Sequence, residues 1–152
     1  MSSVQTYQPL AGIRVVEISH MIMGPSAGFF LATLGAEVIK IEPPDGDKTR
    51  LLTGMGRGFF PSFNRGKKAA LHESMSTADV FLENFRDGSM DKIGLSPEQL
   101  QAKYPALIIA SCKGFLKGPY ENRTAMDEVV QMMTGMAYMT GPKGRPLRIG
   151  SS

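Results

Sequence analysis

Apolar positions along this chain gather into short aliphatic runs, each bounded by glycine, proline or charge. "IRVVEI" (13–18), "AEVIKIE" (36–42), "DVFLEN" (79–84) and "LIIASCK" (107–113) read as β-strands, the last from its continuous apolar stretch. Between the first two lies "PSAGFFLATLG" (25–35), with Pro25 in a first helical turn and Gly35 past its end. Strand, tight loop, helix, strand predicts a right-handed βαβ unit with parallel strands. "SPEQLQAKYP" predicts a helix with Ser96 as N-cap, Pro97 at N1 and Glu98 beside it. "AMDEVVQMMTGMAYMTG" (125–141) predicts one longer helix, with Val129, Val130, Met133, Met136 and Ala137 on a common stripe. Residues 43–68, rich in Gly, Pro, charge and aromatics, read as one long loop. The alternation predicts an α/β fold, an open and mostly parallel sheet with flanking helices. Such sheets take ligands at the carboxyl ends of their strands.

Composition narrows the picture only a little. The 152 residues suit one domain over 1–152, and 42% hydrophobic with 20% charged residues is ordinary for a globular chain. Seventeen Lys and Arg against fourteen Asp and Glu give a net charge of +3, too small an excess to imply nucleic acid. The lone Cys112 excludes an internal disulfide framework and a multi-cysteine metal site, and suits a reducing compartment. No apolar window reaches membrane-spanning length and "MSSVQTYQPL" has no signal pattern, so a cytoplasmic protein is expected.

Candidate chemistry begins in the first βα loop, "SHMIMGPSAG". A helix N-terminus after a strand offers free N–H groups and a favourable dipole to an anion. Glu42, ending the second strand, stands where dinucleotide folds keep a ribose-binding acid, yet Gly24 and Gly28 do not spell G-x-G-x-x-G. A nucleotide-type site of another sort and plain βα packing both remain open here. His20 and the isolated His72 have no spacing that suggests a metal site or a hydrolase triad. In "GRGFFPSFNRGKK" (56–68), Arg57, Arg65, Lys67 and Lys68 interleave with Phe59, Phe60 and Phe63. Cations can hold phosphate while aromatic faces stack a base, and single-stranded nucleic acid could use the same set. A solvated loop tucking in two phenylalanines is the plainer reading. Met132, Met133, Met136 and Met139 fall at helical spacing and read as core filler. Asp127, at a helix start, is electrostatically favoured there in any case.

Taken in order, several stretches resemble one family, the family III CoA-transferases, which include formyl-CoA and carnitine-type enzymes. They are residues 10–50, "FNRGKKAAL" (63–71), "ADVFLENFRDG" (78–88), "PALIIASCKGF" through "GPY" (105–120), "MDEVVQMMTG" (126–135) and "RPLRIG" (145–150). The resemblance implies a Rossmann-like large domain, a small domain inserted later, and two subunits threaded through each other. It implies that His20, Met21 and Ile22 line a coenzyme A site, that Lys67 and Lys68 lie near its phosphates, and that Asn84 and Phe85 touch CoA. No metal is implied.

In that family an aspartate just after the "PLRxG" pattern attacks the acyl-CoA thioester to give a mixed anhydride. CoA thiolate then attacks the anhydride to give an aspartyl-CoA thioester. Here "PLRIGSS" (146–152) closes the sequence before such an aspartate, so the resemblance implies an N-terminal, CoA-binding portion that is inactive alone. The related α-methylacyl-CoA racemases place a His before the acid at the helix start. Met126 stands there in this chain, which favours the transferase branch and leaves Asp127 as a supporting acid. Only "HESMST" separates "GKKAAL" from "ADVFLEN", where the family carries more of a helix. Alternative roles are a non-catalytic CoA-binding or oligomeric interaction module, a homodimer, or one half of a split enzyme completed by a partner chain.

Overall fold

The computed structural model describes residues 7–69 and 75–149. It divides into two compact units, residues 1–112 and 113–152. His72 and the rest of the first half of the short "HESMST" connection, residues 72–74, lie outside the described residues.

The first unit is built on a parallel sheet. Its strands are β1 (Arg14–Ile18), β2 (Glu37–Lys40), β3 (Lys68–Ala69), β4 (Val80–Glu83) and β5 (Ile108–Ser111), in the spatial order β3-β2-β1-β4-β5. Every pairing is parallel, with Val16 beside both Ile39 and Phe81, and Phe81 beside Ile109. This is the strand order of doubly wound nucleotide-binding sheets, which reverses direction between β1 and β4.

Alternation along the strands sends side chains to two cores. On one face Val15, Val38 and Leu82 pack with Ala27, Leu31 and Ala32 of helix α1 (Met23–Thr33). On the other Val16 and Phe81 pack with Met90, Leu100 and Leu107, the middle one from helix α3 (Pro97–Lys103). Helix α3 starts as the sequence predicts. The Ser96 hydroxyl accepts from the Gln99 N–H at 3.2 Å, Gln99 returns a bond to the Ser96 N–H at 3.1 Å, and Pro97 occupies the first turn.

Two expectations fail here. Residues 43–68 are not one loop. They form 3-10 turns at Lys48–Leu51 and Gly54–Gly58 and a helix α2 (Phe59–Asn64). The Asp47 carboxylate caps the first turn through the Thr49 N–H, and Pro61 is tolerated because it lies in the first turn of α2.

In the second unit the predicted single helix is two, α4 (Asp127–Met133) and α5 (Met136–Thr140). Gly135 adopts a left-handed φ of 79°, which ends α4 and is cheap only for glycine. The predicted stripe is therefore not a core seam: of its residues Ala137 is buried as expected, but Val129, Met133 and Met136 are exposed, and Gln131, off the stripe, is buried. Met132 and Met139 are exposed too, so the four methionines do not fill a core.

Candidate functional site

At the carboxyl ends of β1 and β4 the strand order reverses, and there the chain brings together residues distant in sequence. The Asn84 carbonyl oxygen accepts from the His20 N–H at 3.0 Å, and the Asn84 amide donates to the His20 carbonyl at 2.8 Å. One side chain thus imitates a strand partner for the loop leaving β1. The His20 and Phe85 rings lie 4.6 Å apart. Met21 follows with φ 62°, a left-handed geometry uncommon for a non-glycine residue. Ile22 then precedes α1 without any side-chain cap. Uncapped N–H groups at the head of an eleven-residue helix suit an anion. Of the residues named from the sequence, His20, Met21, Ile22, Asn84 and Phe85 are thus brought together.

The two lysines are not grouped with them. Lys68, 70% exposed, reaches Glu37 at 2.5 Å, and Glu37 also accepts from Arg14 at 2.6 Å. Arg14 and Glu37 begin their strands, so Lys68 points toward the amino end of the sheet, away from the crevice. Lys67 turns inward. Its ammonium, 2% exposed, meets Glu17 Oε2 at 2.7 Å, the Pro25 carbonyl at 2.8 Å and Asn64 Oδ1 at 3.1 Å.

Behind the loop, sequence reasoning missed a buried network. Lys40 lies beside Glu17 in strand register and donates to the Ser19 carbonyl at 2.7 Å. It also lies 3.4 Å from Glu17 Oε1 and 3.2 Å from Asp47 Oδ2. The Ser19 hydroxyl donates to Glu17, and Asp47 accepts from the Thr49 N–H at 2.9 Å and its hydroxyl at 2.8 Å. Opposite charges at one register position in two adjoining apolar strands, "RVVEI" and "EVIK", were the available signal.

Helix α1 crosses this network closely. A Cβ on Gly24 would fall 2.5 Å from the Ser19 Cβ, and one on Gly28 would fall 1.9 Å from Glu17 Oε2. These glycines serve helix-to-strand approach, not a dinucleotide fingerprint.

Burial presses the Lys67 pKa below the usual lysine value against the opposing pull of Glu17. For Asp47 burial acts to raise the pKa, but the two Thr49 hydrogen bonds and Lys40 outweigh it and hold the carboxyl below its ordinary value. A depressed carboxylate contributes stability that is complete above the unfolded pKa of about 3.9 and lost as pH falls through the folded one. Urea midpoints measured from pH 7 down to 3 should therefore drop below about pH 4, and less steeply in Asp47→Asn.

Glu42 is already engaged. Arg50 grips it at 2.7 and 2.9 Å, the Asp47 N–H donates to it at 2.9 Å, and the Arg50 guanidinium lies 3.7 Å from the Phe60 ring centre. The basic-aromatic stretch contributes Pro61, Ser62 and Arg65 to a shallow cavity of about 350 Å³ that Phe29 completes. Among the described residues no group of three or more His, Cys, Asp or Glu side chains could hold a metal.

In the second unit, Gln131 is the organising side chain. Its amide donates to Asp127 Oδ2 and to the Ile149 carbonyl, both at 2.7 Å, and its oxygen accepts from the Ile149 N–H at 2.6 Å. Leu147 donates to the Ala137 carbonyl at 2.9 Å. Asp127 is thus tied to the extended segment through one amide. Gln131→Leu removes three hydrogen bonds and should cost about 1.5–4 kcal/mol. Amide exchange should show faster exchange at Ile149 with β1 and β4 unaffected.

With this geometry in place, comparison with known proteins decides the lineage. The CoA-transferase family III description matches residues 10–152. The chain belongs to that family. It is similar to an acetyl-CoA:oxalate CoA-transferase of Acetobacter aceti, 39% identical over 95% of this chain and 42% of that one. A succinate–glutarate CoA-transferase of Agrobacterium fabrum is 36% identical, over 93% of this chain and 42% of its own. Among solved structures, a CAIB/BAIF family protein from Brucella suis superposes with a TM-score of 0.82 at 38% identity, covering 94% of this chain and 44% of that chain. This family III chain thus spans well under half the length of the relatives it matches. The N-terminal resemblance read from the sequence holds, as does the α/β fold.

No helix among the described residues is long and apolar enough to cross a membrane.

Proposed function

We propose that these residues form the CoA-binding part of a family III CoA-transferase, with the CoA thioester lying in the crevice between β1 and β4. The observation that carries this reading is the Asn84–His20 clasp at the point where the strand order reverses, next to an uncapped helix start. The Phe85 and His20 rings offer an apolar wall to the pantetheine arm, and the N–H groups at the head of α1 face its phosphates. Of the two lysines expected at the phosphates, Lys67 supports the loop from behind, and Lys68 pairs with Glu37 away from it.

Asp127, bound to Gln131, is the acid that would assist the family's nucleophile. That nucleophile is not among these 152 residues, which by themselves should bind CoA without transferring it. Transfer between carboxylic acids then needs further chain, from the same polypeptide, a second copy or a complementing partner. The exposed Met126, Met132, Met133, Met136 and Met139 favour such a covering partner over an isolated monomer.

Calorimetric titration with CoA, alongside the oligomeric state, tests this. Saturable binding is expected, and Asn84→Ala should weaken it about 10-fold by losing two hydrogen bonds near 0.5–1.5 kcal/mol each. A folded protein with no CoA binding would overturn the reading.

A further inference from the structure

Glu17, Lys40, Asp47 and Lys67 are almost fully buried, with side-chain exposures of 0–3%. Two carboxylates and two ammoniums balance in charge. Even so, burying such a set is no route to stability, since well-packed apolar residues commonly do as well or better. Its use has to be sought in what the charges hold.

Both lysines give hydrogen bonds to main-chain carbonyls, and those carbonyls bracket the loop between β1 and α1. Lys40 holds Ser19 at 2.7 Å and Lys67 holds Pro25 at 2.8 Å. Glu17 lies between the two ammoniums and also accepts from the Ser19 hydroxyl. From the other strand Asn84 fixes the backbone of His20. The loop is therefore pinned on both sides of Met21, whose left-handed φ persists only where its surroundings impose it.

An ammonium has three hydrogens. Lys67 donates to Pro25 and Asn64 and is ion-paired with Glu17, and Lys40 donates to Ser19 and Glu17 and is ion-paired with Asp47. Both ammoniums are buried among these partners.

We propose that the buried quartet Glu17, Lys40, Asp47 and Lys67 is a positioning device for the β1–α1 loop, and that Lys67 acts on a bound anion only through that loop. The part concerning the anion rests on the CoA reading above; the clamp itself does not.

The test has one arm in the unaltered protein. Under reductive methylation read by mass spectrometry, Lys68 should be modified while Lys40 and Lys67 resist, with or without CoA. Modification of Lys67 that CoA blocks would overturn the proposal. The second arm uses Glu17→Gln/Lys67→Met, which removes a pair of charges together. Amides of residues 20–24 should exchange at least 10-fold faster while β1 and β4 amides keep their protection. CoA affinity should fall about 10-fold with its salt dependence unchanged, because no phosphate contact is lost. Unchanged loop exchange, or a shallower salt dependence, would sink the idea. If the unaltered chain binds no CoA, the CoA reading fails, and the exchange and methylation results still decide the clamp.

Discussion

Gly28→Ala should cost about 3–5 kcal/mol, enough to bring a domain of ordinary stability close to unfolding. The added methyl would stand 1.9 Å from Glu17 Oε2, 2.9 Å from its Cδ and 3.0 Å from Lys67 Nζ. None of these neighbours is free to yield. Glu17 is fully buried between two lysines, and Lys67 is held by three acceptors. Overpacking alone commonly costs about 1–3 kcal/mol, and here the displaced group is a charge that would lose its partner. Gly58→Ala is the control, since a Cβ there meets open space at φ −83°. Its effect should stay within about 0.5 kcal/mol. Urea unfolding of both variants, followed by circular dichroism, checks the contrast; equal midpoints would refute it.

Glu17→Leu should be nearly as damaging, at about 3–5 kcal/mol, because it strands buried charge instead of removing it. Lys67 would keep only neutral acceptors, and Lys40 only Asp47 as a counterion. The loss should depend on pH. Burial already sets the Lys67 pKa below its ordinary value with Glu17 opposing, so removing Glu17 lowers it further. Between the folded value and the unfolded value near 10.4 the unfolded chain binds more protons, so stability rises with pH. Unfolding midpoints of Glu17→Leu should accordingly climb from neutral toward about pH 10 more steeply than those of the unaltered chain. Glu128→Gln offers the comparison. Its partner Arg148 is 41% exposed, and such pairs contribute about 0–1 kcal/mol.

Part of the candidate site is legible in the chain. The loop after "IRVVEI" and the "ENF" that closes the strand of residues 80–83 both stand out, and the parallel sheet places them side by side. Lys67 and Lys68 show where such reading stops. Lys67 lies just before the two-residue strand that Lys68 opens, and the two side chains find different partners, so one basic pair becomes a buried clamp and a surface ion pair. The one-dimensional pattern of positive charge carries no sign of that split.

In the second unit the same limit applies to a helix. The Val and Met stripe had the right period, but Gly135 interrupts it and Gln131 takes the buried position. A glutamine is worth burying only where its amide finds partners, and those partners are Asp127 and the backbone of Ile149, eighteen residues on.

The sequence by itself determined four of the five strands, the α/β class, the Ser96 cap and the family, because each rests on local periodicity, turn chemistry or ordered motifs. Tertiary structure alone decided which charges are buried, what Gly24 and Gly28 make room for, and how Asn84 clasps His20. Those outcomes depend on which strands become neighbours and how closely a helix approaches them. Charge burial and hydrogen-bond partnership are properties of that arrangement, and no stretch of the chain encodes them separately.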